Sequence, residues 1–494
     1  MVYLHRDLQG HEFNFHEISM KPRRIPDFPR NQVDLKTRAA RNLELYLPLA
    51  SAPMDTVTEY EMAVLLELNG GLGVLHYNST VDYQIDQLKR VKNYKSAFVR
   101  NPVCLRPDST VQDVYDVHNR YGFYSVPITE DGTPKTRLLG FVSYHDIRYQ
   151  DNRKTKLRSV MTPRGRLIVA AKKDTVGKQG IKSANMLMKR HNLNVLTVVD
   201  NEDNPYALVT DRDLRLHEKY PHASVDDNKQ LLGFIAVKGD WHDKKRRSEE
   251  QDRIYRAAEA GADGIVIDQG VVYGSQPEIV KWVKKHFPEM HTGVGNVCCG
   301  EVVEELMGRA GKFIDFIKVG VGPGMACTTT QELAIGRAQP VAVYDCARTM
   351  KRLAKKYGDA SIWADGGVKK SGDATLDLAL GANMVMVGGI LAGYEEAPGR
   401  KIDKGGGVWK KEFRGMGSMS AMKAGGDARY TLGKEAIRVV EGREMEVPYK
   451  GDGEPILTEF AEGIKQAMNK LGFRTIDELQ RYCMIIPNSN RQRE

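Results

Sequence analysis

The sequence predicts an α/β fold, a TIM-type (β/α)8 barrel interrupted early by a smaller paired module. Short apolar runs recur from residue 234 to residue 389, each followed by a helical pattern, which is the rhythm of parallel strands with crossover helices. Two earlier runs, at 47–51 and 71–76, have the same character and bring the strand number near eight. Between about residues 99 and 225 the rhythm changes, and two similar units follow one another. The barrel is assigned to residues 1–98 and 226–494 and the module to residues 99–225.

Taken in order, the runs at 47–51 (Leu-Pro-Leu-Ala-Ser) and 71–76 (Gly-Leu-Gly-Val-Leu-His) open the barrel. After the module come 234–237 (Phe-Ile-Ala-Val), 264–268 (Gly-Ile-Val-Ile-Asp), 316–320 (Phe-Ile-Lys-Val-Gly), 362–367 and 384–389. The last two end in Asp365-Gly366-Gly367 and Gly388-Gly389. Chemistry in such barrels sits where strands end, and phosphate commonly binds after the last two strands. Within the module, the first unit comprises 105–111, a helix, 124–129, a turn at Asp131-Gly132 and 140–146. The weaker copy comprises 174–176, a helix, 195–200 and 207–213.

A chain of 494 residues is too long for one ordinary domain, and 41% hydrophobic residues suffice for large cores. Six cysteines without a CxxC pair point to a reducing compartment with free thiols, and the adjacent Cys298 and Cys299 read as packed rather than metal-binding. The first ten residues lack the apolar core of a signal peptide, and no apolar run is long enough to span a bilayer, so a soluble, cytoplasmic protein is expected. The formal charge of +9 is spread among 64 acidic residues, and the cluster at 244–247 reads as a solvated helix face; nucleic acid is not an expected partner.

The most informative stretch is 318–330, Lys-Val-Gly-Val-Gly-Pro-Gly-Met-Ala-Cys-Thr-Thr-Thr. Its glycines let the backbone take positive φ and approach a ligand closely, and successive N–H groups of the turn can cradle an anion or hold a thiolate. Cys327 is thus a candidate nucleophile facing a bound phosphate compound; the alternative is an inert cysteine in a tight βα turn.

Each copy of the repeat resembles a CBS motif, and the pair resembles a nucleotide-sensing Bateman module. That resemblance implies a regulatory adenine or guanine nucleotide with Asp146 and Asp213 bonding its ribose, whereas on their own both acids could simply cap the following helix. The whole chain resembles the inosine monophosphate dehydrogenase and guanosine monophosphate reductase family. The resemblance rests on 52–59 (Ala-Pro-Met-Asp-Thr-Val-Thr-Glu), 295–297 (Gly-Asn-Val), the Cys327 loop and 365–367. It also rests on 391–399 (Leu-Ala-Gly-Tyr-Glu-Glu-Ala-Pro-Gly) and 414–418 (Arg-Gly-Met-Gly-Ser).

The resemblance implies oxidation of IMP to XMP with NAD, in guanine nucleotide biosynthesis, through a thioimidate on Cys327. Arg429 and Tyr430, on a mobile flap near 400–445, would activate the hydrolytic water, with Thr329 assisting. Asp365 would bond the substrate ribose, and Gly366, Gly367, Gly388 and Gly389 its phosphate. Met54, Met416 and Gly417 would line the purine, with Glu441 accepting from its ring nitrogens. Asp268, Asn296 and Gly320 would face NAD, and carbonyls of Gly322, Gly324 and Cys327 would bind a monovalent cation, K+. A homotetramer, or an octamer, is the assembly implied.

Two alternatives stay open: a GMP reductase consuming NADPH, and a catalytically weakened purine-nucleotide sensor or scaffold. The chain carries Met325, Phe413 and Gly389 where dehydrogenases of this family usually carry hydroxyl side chains. Each lost donor is worth on the order of 1 kcal/mol, so the three predict a loss of roughly two decades in phosphate affinity unless other groups compensate. On the cofactor side the run Asp268-Gln269-Gly270-Val271-Val272 also departs from the usual Asp-Ser-Ser-x-Gly.

Overall fold

The computed structural model describes residues 3–25, 27–94, 99–100, 102–121, 123–175, 180–210, 219–227, 229–272, 274–425 and 439–488. The seven apolar runs form parallel strands β1 (Leu49–Ser51), β2 (Val74–Leu75), β3 (Phe234–Val237), β4 (Gly264–Asp268), β6 (Phe316–Val319), β7 (Ser361–Asp365) and β8 (Met384–Val387), and the eighth strand, β5 (His291–Val297), comes from a segment outside those runs. They form one eight-stranded sheet in the order β1-β8-β7-β6-β5-β4-β3-β2. The amide of Ser51 donates to Leu72 O (2.9 Å) and that of Leu72 to Leu49 O (3.0 Å), joining β1 to the segment that leads into β2 and closing the barrel.

The helices between strands are α1 (Tyr60–Leu68), α2 (Val81–Lys92), α3 (Lys244–Glu259), α4 (Gln276–His286), α5 (Gly300–Ala310), α6 (Gln339–Tyr357) and α7 (Ser371–Leu380), and α8 (Glu454–Leu471) follows the last strand. Their ends follow local chemistry. Asp243 caps α3 by accepting from the Arg246 amide at 2.9 Å, proline stands in the first turn of α4, α6 and α8, and Gly472 ends α8 at φ 76°. The basic run at the start of α3 is solvated as expected: Lys244, Lys245 and Arg247 are exposed, and Arg246 pairs with Asp240 at 2.7 Å.

The amino-terminal end of the barrel is filled by aromatic side chains. Phe316 stacks on Trp363 with ring centroids 4.1 Å apart, and Phe234 lies 6.3 Å from Phe316. Neighbouring strands give way with glycine: a Cβ on Gly264 would stand 2.3 Å from the Phe234 ring and one on Gly293 2.0 Å from the Phe316 ring. Burying rings in such alternating layers contributes about 2–3 kcal/mol each and leaves the opposite end of the barrel open for a site.

The chain divides into two compact units, one of residues 1–92, 222–224 and 232–494 and another of 93–221 and 225–231. The return at 222–224 belongs to the barrel because His222 packs on Tyr46 (centroids 4.4 Å apart) and the Ser224 hydroxyl donates to Gly71 O at 2.6 Å. The second unit contains two small α/β lobes. Val126–Thr129, Leu138–Val142 and Thr162–Pro163 form one sheet, whose core is shared with the helix Val111–Tyr121. Val169–Ala171, Val195–Val199, Pro205–Thr210 and Val99–Arg100 form the other, packed with the helix Gly180–His191. All six cysteines are free, and among the described residues no helix is long and apolar enough to cross a membrane.

Candidate active site

At the carboxyl ends of the strands a cavity of about 460 Å³ opens. The loop after β6 enters it because its glycines permit close approach. Gly320 (φ 151°) and Gly322 (φ 91°) leave no room for a side chain, since a Cβ would fall 1.9 Å from Asp365 O and 2.0 Å from Thr330 Oγ1 respectively. The loop ends at Cys327, whose amide donates to Gly324 O at 3.0 Å.

Two other segments clamp this loop. The Thr328 amide donates to Glu441 O (2.9 Å), Arg443 N to Ala326 O (2.9 Å), Glu441 N to Gly417 O (3.1 Å) and Gly415 N to Arg443 O (2.9 Å). This backbone ribbon places three side chains in series: the Cys327 thiol donates to Thr329 Oγ1 at 3.2 Å, and the Thr329 hydroxyl donates to Glu441 Oε2 at 2.8 Å. A thiol thus touches a hydroxyl that touches a carboxylate, an arrangement that can pass a proton away from sulfur or from a water beside it. The loop after β1 ties the Trp409–Arg414 strand to the same rim, as Asp55 binds Arg414 through both carboxylate oxygens, the closest contact 2.6 Å. That carboxylate raises the pKa of the Arg414 guanidinium.

Deeper in the cavity Lys318 stands on the same face of β6 as Phe316 but one layer higher. Its ammonium, on a side chain 1% exposed, bridges Asp268 Oδ1 (2.7 Å) and Asp365 Oδ2 (3.0 Å). Asn296 Nδ2 donates to Asp365 Oδ2 (2.8 Å) and to Gly320 O (2.7 Å), so two strands hold the Asp365 carboxylate in one orientation. Asn296 Oδ1 is buried and has no hydrogen-bond partner among the described residues.

At the β7 and β8 ends the wall is glycine: Gly366, Gly367, Gly388 and Gly389. Met325 covers Gly389, its Cε 2.9 Å from where a Cβ would stand, so the methionine and the glycine are two halves of one packing solution. Phe413 is 1% exposed and has become core.

A model of the IMP dehydrogenase / GMP reductase domain matches residues 12–493. The chain belongs to that family. It is 36% identical over 487 residues to an inosine-5'-monophosphate dehydrogenase of Schizosaccharomyces pombe, covering 96% of this chain and 88% of that one. It is 39% identical over 416 residues to the enzyme of the same name from Toxoplasma gondii, covering 84% and 71%. Among solved structures it resembles a GMP reductase from Trypanosoma brucei in complex with guanosine 5'-monophosphate, with a TM-score of 0.84 and 28% identity over 98% of this chain and 97% of that one.

In this family member one cavity gathers Met54, Asp268, Asn296, Gly320, Gly322, Gly324, Cys327, Thr329, Asp365, Gly366, Gly367, Gly388, Gly389, Met416, Gly417 and Glu441. Arg429, Tyr430 and Asp213 lie outside the described residues. Asp146 stands elsewhere, in the second unit, where its Oδ2 accepts from both the amide and the hydroxyl of Ser143 at 2.7 Å and so caps a short helix. Sequence reasoning passed over Lys318, Lys369 and Lys450, all of which line the cavity. For Lys318 the signal was present, a lone cation inside an apolar strand that ends at a site.

Proposed function

We propose that this protein is an inosine 5'-monophosphate dehydrogenase, oxidising IMP to XMP through a covalent bond between Cys327 and C2 of the purine. The observation that carries this reading is the Cys327–Thr329–Glu441 series on the wall of a cavity whose far end is lined by backbone glycines. Attack of Cys327 Sγ on C2 forms the C–S bond, with the thiol proton leaving along Thr329 toward Glu441. NAD, when bound, supplies the hydride acceptor. Asn296 Oδ1 fits its carboxamide or ribose, being a buried acceptor with no partner among the described residues, in the cavity that Asp268 also lines. Once hydride has left C2, the thioimidate is open to water: as the C–S bond breaks, one water proton passes through Thr329 to the departing sulfur, the other stays with the purine, and the proton held on Glu441 since attack is released; Arg429 and Tyr430 are assigned to the same step. Asp365, fixed by Lys318 and Asn296, is assigned to the ribose hydroxyls, with Met54, Met416 and Gly417 against the base.

The carbonyls of Gly322 and Cys327 receive no backbone hydrogen bond among the described residues, which suits a K+ site shared with Gly324 O. The two lobes of the second unit are assigned as a CBS pair regulated by an adenine or guanine nucleotide. A cytoplasmic homotetramer, or octamer, completes the reading. A GMP reductase is the second reading, favoured by the likeness to the trypanosomal reductase. The deciding experiment is an absorbance assay for NADH with IMP, NAD and K+, run beside GMP with NADPH and repeated with Cys327→Ala. NADH formation abolished by the substitution supports the dehydrogenase; NADPH oxidation with GMP alone supports the reductase; silence in both overturns both.

A further inference from the structure

The β7–β8 end of the cavity presents backbone amides and, apart from Tyr394 in the loop after β8, no hydroxyl side chain; Met325 occupies the space a side chain on Gly389 would need. A phosphate dianion held there by backbone amides alone would be bound more tightly with a cation beside it. Three lysines line the cavity. Lys318 is neutralised between Asp268 and Asp365, and Lys369 is exposed with its ammonium unanchored among the described residues. Lys450 is exposed too, but unlike Lys369 its ammonium is anchored. Its ammonium donates to the carbonyl of Ile390, the residue after Gly389, at 3.1 Å and lies 4.9 Å from the centre of the Tyr394 ring. Its amide donates to Gly393 O at 2.9 Å, which fixes the residue to the loop after β8. No carboxylate pairs with it among the described residues, and partial desolvation lowers the pKa of its ammonium. One of the three N–H groups is used by Ile390 O, and two remain.

We propose that Lys450 is the residue that recognises the phosphoryl group of the substrate, a specificity residue that does not touch the reacting carbon. This deepens the reading of the cavity as a purine-nucleotide site and rests on it. The alternative is that Lys450 only tethers the loop after β8. The test compares wild-type protein, Lys450→Met and Lys450→Arg with IMP and with inosine, which lacks the phosphate, by initial rates and by calorimetric binding. Lys450→Met is expected to raise KM and Kd for IMP about 10- to 100-fold, with kcat falling much less and inosine affected less than about three-fold, while Lys450→Arg retains most of the affinity. Unchanged IMP affinity, or equal losses for IMP and inosine, overturns the proposal. If wild-type protein binds IMP or GMP without turnover, the dehydrogenase reading fails while the binding comparison still decides Lys450; if it binds neither nucleotide, both fail.

Discussion

At the residue scale the proposed chemistry rests on a short series of contacts, each of which can be broken singly. Thr329→Val keeps the volume of the side chain but removes the hydroxyl between sulfur and Glu441. Under the proposed mechanism kcat for NADH formation should fall about 100-fold or more, with the affinity for IMP changed little, and stopped-flow absorbance should show whether hydride transfer or hydrolysis has become slow. A fall in affinity alone would remove Thr329 from the proton path. Asp377 in α7 has a different consequence. Both of its oxygens are buried without a hydrogen-bond partner among the described residues, and desolvation, aided by nearby Asp373, holds its carboxyl pKa well above the usual range. A raised folded-state pKa means that the folded protein keeps a proton the unfolded chain releases. The associated stability is full below the unfolded pKa and is lost as pH rises through the folded value. Asp377→Leu should therefore raise the melting temperature, and by more at pH 8 than at pH 5; equal gains at both would show the carboxyl to be solvated.

The elements show the same dependence on single atoms. Gly293 exists to admit the Phe316 ring, so Gly293→Ala, which places a Cβ 2.0 Å from that ring, should destabilise the barrel by about 1–3 kcal/mol in urea denaturation. A smaller effect would mean that the aromatic layer can shift. The same position explains what could and could not be read from the sequence. Strands with continuous aliphatic runs, such as β3, β4 and β8, announce themselves, whereas β5 reads His-Thr-Gly-Val-Gly-Asn-Val and carries the buried glycines that its neighbours' large side chains require. Its Gly295 yields to Lys318 as Gly293 yields to Phe316, with 2.5 Å between a would-be Cβ and Lys318 Cβ. Cys327, Asp365 and the glycine pairs were legible because they stand at strand ends in a recognisable order. The joint fit of Met325 and Gly389 was not, because two separate departures from a pattern become one contact only in three dimensions. Lys450 was invisible for the same reason, lying far along the chain from the glycines beside which its ammonium sits.

For the molecule as a whole, the chain divides into two compact units, and the effect of a ligand can be sought on each. A ligand that binds only the folded state stabilises it by RT ln(1 + [L]/Kd), about 2.7 kcal/mol at a hundredfold excess over Kd. Calorimetric unfolding should then resolve which unit each ligand serves. IMP is expected to raise the transition of the barrel unit. Under the regulatory reading, ATP or GTP should raise that of the unit comprising 93–221 and 225–231, and Asp146→Asn should remove that second shift. Asp146 already caps a helix through Oδ2, so the substitution alone should lower the second transition slightly, and the decisive quantity is the shift each nucleotide adds on top. A shift that survives Asp146→Asn would leave that residue as a cap only, and no shift with either nucleotide would end the regulatory reading while leaving the chemistry at Cys327 untouched.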